Sequence, residues 1–554
     1  MTYRAPCGCG TPWKPSTRRV GPPSPLLLAS PAVGAIQCSQ QCVLGEYAII
    51  SGRINDIAWD GDSQRIIAVG DGKERFGHCI TADSGNSVGE VTGHSKAANA
   101  VSIRQQRPLR AATVADDSSM CFLHGAPFKF NSKADGLHKS FVFGTAFSPD
   151  GSRLVTVGAD RKIQLYDGKT GEPTGTIGEG EHTGSIFAVS WAPDGKKLVT
   201  ASADQTVKLW DVDGGKVIQS WRLGPEGGSV RDQQVGVVYV PGRSDGLIIA
   251  VNLDGDLTYL HEGSDKPSRV VQGHNKGVTA LGAGSDGTGN TVWTGSFDGR
   301  VCRWDLSEGL AAAVDAQSHS NQVVNFAAGQ GATYSAGWDD MLHTINESSA
   351  TFEGPAVKLP AQPKDIASSN GRVYVATASG VAVYENGKLL KETPLPFTPT
   401  AIAAHEPNVA VGADQRVIIY TTDGAGALTE TQTLTKSTSQ ISSLSFSPDG
   451  AHLAAGNQVG KIVVYKTSGG WDVATDRWSS HTARVACLAW NPEGTHAVSG
   501  GLDTNVHVWS LAKPGSRVKA ANAHKDGVNG VAWVGGKIVS SGGDAAVKVW
   551  DVQV

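Results

Sequence analysis

Histidine, serine and aspartate recur together along this chain, and these are the residue types of a hydrolase triad. The sets are His138 with Asp160, His182 with Ser202 and Asp204, His274 with Ser296 and Asp298, His481 with Asp503, and His524 with Asp544. Six positions beyond each aspartate lies an aromatic residue: Tyr166, Trp210, Trp304, Trp509 or Trp550. Nucleophilic catalysis needs one such set, at one cleft. A set that recurs along the chain serves structure instead. A carboxylate facing a tight turn accepts backbone N–H groups and orients an imidazole, which satisfies polar groups buried between sheets. No catalytic residue and no cofactor are expected, because phosphate-loop, metal-ligand and zinc-hydrolase patterns are absent.

The cysteines add no metal chemistry. Cys79, Cys121, Cys302 and Cys487 are scattered one per segment in apolar runs, as reduced, buried thiols of a cytosolic protein would be. Cys7, Cys9, Cys38 and Cys42 have the wrong spacing for common zinc fingers, with no histidine nearby. His78 reads as a packed polar residue, since no partner ligand lies at useful spacing. Charged residues make up 18% of the chain and the formal net charge is −4, so neither nucleic acid nor a membrane is an expected partner. No apolar run approaches the roughly 20 residues of a membrane helix.

The elements that position these residues follow from a repeat of about 40–48 residues beginning near Ser51. The clearest copy is HTGSIFAVSWAPDGKKLVTASADQTVKLWD, from His182 to Asp211. Apolar and polar residues alternate in short runs, broken by Pro-Asp-Gly and similar turns, which predicts short antiparallel strands. Nothing there has helical periodicity. The abundant glycine, 69 residues, suits many tight turns.

Five strong and seven weaker copies make twelve, each expected to be one four-stranded blade. The opening histidine, the turn aspartate and the Trp-Asp ending resemble the WD-repeat family, whose fold is the β-propeller; the resemblance implies that these side chains form a buried hydrogen-bonded relay, with a Ser or Thr such as Ser202 or Ser296 between them. The expected class is all-β, with tandem WD-repeat propellers. Counting back from the C-terminus, residues 273–554 hold seven repeats and form one ring. Residues 45–272 hold five, so the first ring is expected to lack about two N-terminal blades, as an altered exon or an erroneous gene model would explain. Residues 1–44, with no Asp or Glu before Glu46, read as a leader, disordered or not native to the fold.

Segments that break the repeat narrow the resemblance. The first unit has GKERFGH in place of the usual turn. The second has the doubled Asp116-Asp117, then PFKF, then a His-x-x-Phe ending at Phe141. These blocks are similar to the actin-interacting protein one family, cofactors of cofilin, over roughly 45–554. The resemblance implies a cytoplasmic, monomeric protein of the actin cytoskeleton. It would bind cofilin-decorated actin filaments and promote their severing and disassembly. It further implies an actin–cofilin contact formed by Glu74, Asp116, Lys129, Phe130 and Phe141, with Asp117 as the structural aspartate of its repeat.

Simpler readings stand beside these. Phe130 and Phe141 could be inter-blade core, Phe130 sharing a strand face with Phe128, and Glu74 a solvated carboxylate pairing with Arg75 or Lys73. Two other classes fit a propeller. One is a generic WD scaffold, such as a ubiquitin-ligase substrate receptor or a histone-tail reader, expected to carry an adaptor-binding element outside the rings. The other is a calcium-dependent esterase, which needs clustered carboxylates in the central channel.

Overall fold

The computed structural model describes residues 32–37, 42–73, 75–225, 228–285, 289–314, 318–329 and 331–552, with backbone alone for 32–37 and 42–46. It is built almost wholly of antiparallel strands, with one 3-10 turn at Val230–Asp232. The chain divides into two compact units between Val271 and Gln272.

In the unit before this division, five four-stranded sheets span 54–90, 98–134, 142–177, 186–222 and 234–271, numbered blades 1 to 5. A separate strand pair joins Ala32–Gln37 to Cys42–Ala48, within and just beyond the segment read as a leader. Tyr47 ties this pair to blade 1 by donating its hydroxyl proton to the Asp83 carbonyl at 3.0 Å. Tyr47 and Ile49 also pack on Ile50, Ile54 and Ile66 of blade 1. In the following unit, seven sheets span 278–313, 323–358, 363–394, 401–434, 441–479, 485–520 and 528–550, numbered blades 6 to 12. The last is three-stranded among the described residues.

Each sheet is a meander, its strands paired in sequence order, as short loops between alternating runs require. Large apolar side chains fill the seams between blades: Ile186, Leu198 and Trp210 of blade 4 meet Val155, Val157 and Ile163 of blade 3. The innermost strands carry a bulge two residues in, in every blade except blade 9. A bulge re-aims one side chain. Here it lets Asn55 donate to the Ala98 carbonyl of the next blade (2.9 Å), Asn99 to Val142 (2.9 Å) and Ser442 to Val485 (2.7 Å).

Blades 6 to 12 close on themselves, since Asn529 of blade 12 donates to the Val278 carbonyl of blade 6 at 2.8 Å. The inner strands of these two blades lie side by side. Blades 1 to 5 run in series from Ile54–Trp59 to Gln234–Tyr239, and among the described residues these end strands make no comparable contact. The fold is that of tandem WD-repeat β-propellers.

Candidate functional site

The recurring His–Asp pairs sit at the turns between the second and third strands. In blade 4, His182 Nδ1 lies 2.8 Å from Asp204, which also accepts the N–H groups of Thr183 and Thr206, both at 3.0 Å. The residue after the aspartate, Gln205, is left-handed at φ 68°, a conformation costly for a non-glycine and braced here by the carboxylate. Burial alone would raise the Asp204 carboxyl, but hydrogen bonds from His182 and Thr206 outweigh it and hold it well below its ordinary range. His138–Asp160, His481–Asp503 and His524–Asp544 repeat the pairing at 3.0, 2.9 and 2.7 Å.

The hydroxyl of this network is not the expected one. Thr200, not Ser202, bridges His182 (2.8 Å) and the Trp210 indole N–H (2.9 Å). Thr294, not Ser296, joins His274 to Trp304. Ser202 instead donates to the Gly184 carbonyl, and Ser296 to Asp298. Thr156, Ser499 and Ser540 fill the same bridging place in blades 3, 11 and 12. Blade 6 departs further: among the described residues His274 Nδ1 has no hydrogen-bond partner, so the expected His274–Asp298 bond is not made. The weaker copies hold two further relays: His94–Asp117 with Thr113, of which Asp117 alone was expected, and His319–Asp339 with Ser335, which went unread. The opening His, followed by a turn Asp 20–23 positions later, was the available signal.

Of the five residues assigned to partner contact, Glu74 lies outside the described residues. Its expected companion Arg75 pairs with Glu90 at 2.6 Å. His78, beside them, is buried with Nδ1 unpartnered among the described residues. Asp116, Phe130 and Phe141 all border the 93–97 loop of blade 2. The Asp116 N–H donates to the Ala97 carbonyl at 3.0 Å. The Phe130 ring packs on Gly93 so closely that a Cβ there would clash. Lys96 Nζ stands 5.7 Å from the Phe141 ring centre, a cation–π distance. Asn99 links two of them, donating to the Asp116 carboxylate at 2.8 Å and to the Val142 carbonyl beside Phe141. Lys129 is exposed, next to Phe130 on the outermost strand, Lys129–Ala134.

Phe130 and Phe141 are each 43% exposed, so neither is inter-blade core, whereas Phe128 is 2% exposed and packs between blades 1 and 2. The expected shared face of Phe128 and Phe130 does not hold. Phe128 precedes the strand and bridges to Gly89 of blade 1, which takes it out of the alternation. Phe141 meets Phe143 edge-on at 6.4 Å, and Phe143 in turn meets Phe187 at 5.2 Å, so an aromatic row runs inward from the exposed ring.

The inner strands of blades 6 to 12 line a cavity of about 490 Å³. Among its described lining residues, Asp365 is the one carboxylate. It is half-buried and accepts bonds from Asn325 and from the Ile366 and Ile402 N–H groups. The clustered carboxylates that a calcium-dependent esterase requires are not found there among the described residues.

The WD domain, G-beta repeat, matches residues 136–167, 171–211, 265–305, 428–465, 473–510 and 515–551. An uncharacterized WD repeat-containing protein of Schizosaccharomyces pombe is 39% identical over 92% of this chain and 84% of its own length. The 66 kDa stress protein of Physarum polycephalum is 37% identical over the same shares. Actin-interacting protein 1 of Drosophila melanogaster is 35% identical over 67% of this chain and 60% of its own. The chain belongs to the WD-repeat proteins, in the family of actin-interacting protein 1.

Proposed function

We propose that this protein binds actin filaments and acts with cofilin to promote their severing and disassembly, as a monomer in the cytoplasmic actin cytoskeleton, without catalytic chemistry of its own. The observation that carries the reading is the gathering of Asp116, Phe130 and Phe141 around one loop of blade 2, in segments that depart from the repeat and resemble the family. Lys129 and Glu74 complete the proposed contact, and the name of the Drosophila relative supports actin as the partner.

The physical basis is an interface of half-exposed aromatic anchors inside a charged rim, where anchors supply affinity and charges supply complementarity. A protein that binds the cofilin-decorated, fragmented state more tightly than the intact filament shifts the equilibrium without making or breaking a covalent bond. Cosedimentation with filaments, with and without cofilin, tests this alongside filament imaging. Cofilin-dependent pelleting and faster filament loss are expected. Pelleting that ignores cofilin, or no pelleting with it, overturns the proposal.

A further inference from the structure

Four residues beyond the aspartate of a His–Asp pair, on the third strand, one position looks toward that pair, and blade 10, with Val459 in place of the aspartate, has the same position. Sibling blades place Cys121, Gln164, Lys208, Cys302, Val463 or Lys548 there, but blades 7 and 11 place His343 and His507. His507 is fully buried, and among the described residues neither of its ring nitrogens has a hydrogen-bond partner. Imidazole always carries polar capacity, so packing alone favours an apolar residue such as the Val463 of blade 10.

One of the two unused nitrogens lies close to other ligand atoms. The His507 ring stands edge-on to His481, with centroids 4.5 Å apart and planes at 87°. A nitrogen of each imidazole and a carboxylate oxygen of Asp503 lie within 4.8 Å of one another. Blade 7 repeats the arrangement, His343 standing edge-on to His319 at 4.4 Å and 75°, with Asp339 completing a cluster of the same dimension.

We propose that His481, Asp503 and His507 form a site for a divalent transition-metal ion, zinc by the chemistry of the donors, and that His319, Asp339 and His343 form a second. Two imidazoles and one carboxylate suit zinc, cobalt or nickel, whereas calcium and magnesium require oxygen ligands throughout.

The surroundings supply the outer support such sites use. His481 Nε2 lies 2.8 Å from Ser499, which the Trp509 indole N–H fixes at 2.8 Å. When a metal takes Nδ1 of His481, its proton moves to Nε2 and Ser499 accepts it. Asp503 then exchanges the imidazole N–H for the ion on Oδ1, while Oδ2 keeps the Thr482 N–H at 3.0 Å. The cluster lies beneath a surface turn that presents the exposed Leu502, a short path for an ion.

The test is metal content and binding in the whole chain after chelator treatment and dialysis. Gln164 occupies the equivalent buried position in blade 3, so His343→Gln and His507→Gln place a residue the fold already accommodates. Titration with Zn²⁺ is expected to give two variant-sensitive equivalents, one lost in each single variant and both in the double variant. Zn²⁺ should raise the melting temperature of the unsubstituted chain and leave that of the double variant unchanged. Co²⁺ should give a visible d–d spectrum without thiolate charge-transfer absorption. Failure of the unsubstituted chain to take up metal, or equal uptake by the double variant, overturns the proposal, as does thiolate absorption in the Co²⁺ complex.

Discussion

Replacing Asp204 with alanine tests whether the recurring aspartates hold blades together. The carboxylate accepts four bonds: His182 at 2.8 Å, the Thr206 hydroxyl at 2.6 Å, and the Thr183 and Thr206 N–H groups at 3.0 Å. Their costs differ because their access to water differs. Thr183 is exposed and rehydrates, whereas His182 is buried and loses its Nδ1 partner, at about 1–3 kcal/mol. Half-buried Thr206 and left-handed Gln205 add about 1 kcal/mol between them. The expected loss is about 3 kcal/mol, which in a unit of this size lowers the melting temperature by about 6–12 °C. Differential scanning calorimetry measures it, with Asp204→Asn retaining an acceptor oxygen and losing about half as much. The acid limb gives a second readout. A carboxyl depressed by folding stabilises above its unfolded value of 3.8 and loses that contribution as pH falls through the folded value. The unsubstituted protein should therefore weaken more steeply below about pH 4 than the alanine variant. A melting temperature unchanged by Asp204→Ala would refute the structural role.

Phe141→Ala should weaken cofilin-dependent pelleting by about 2 kcal/mol, roughly thirtyfold, with stability nearly unchanged; normal pelleting by a folded variant would remove Phe141 from the contact. Phe128→Ala should cost about 3–5 kcal/mol of stability and Phe130→Ala less than about 1, measured by denaturant melts; equal costs would contradict their separation into core and surface. Thr200→Val strands the Trp210 indole N–H and should cost about 1–2 kcal/mol by the same melts. If it costs nothing, the bridging hydroxyl has been misassigned.

The repeats were legible because each joins a strand alternation to a turn chemistry, and His182, Asp204 and Trp210 mark both ends of that pattern. The bridging hydroxyl was not. Thr200 and Ser202 are two apart on one strand and share a face, so alternation cannot choose between them. Only the cross-strand register, which places Thr200 diagonally from Trp210, decides it. Phe128 and Phe130 misled for the converse reason: two-residue periodicity holds only inside a strand, and the chain crosses to blade 1 at Phe128. His507 stayed hidden because a histidine between Val506 and Val508 reads as the outward half of an alternating strand, whereas in a propeller both faces of that strand are covered.

The joint between Asn529 and Val278 has a kinetic consequence. It spans 251 positions of sequence, so the loop it closes is among the last to form, and every intervening blade must be in place first. Once made, it leaves blades 6 to 12 without a free end, and unfolding must begin by breaking a seam flanked on both sides. Blades 1 to 5, whose end strands make no comparable contact among the described residues, should behave as a linear array, able to fray blade by blade from its ends as stacked repeats do. Native-state hydrogen-exchange protection should therefore grade along blades 1 to 5, lowest at the ends, and be nearly level around blades 6 to 12.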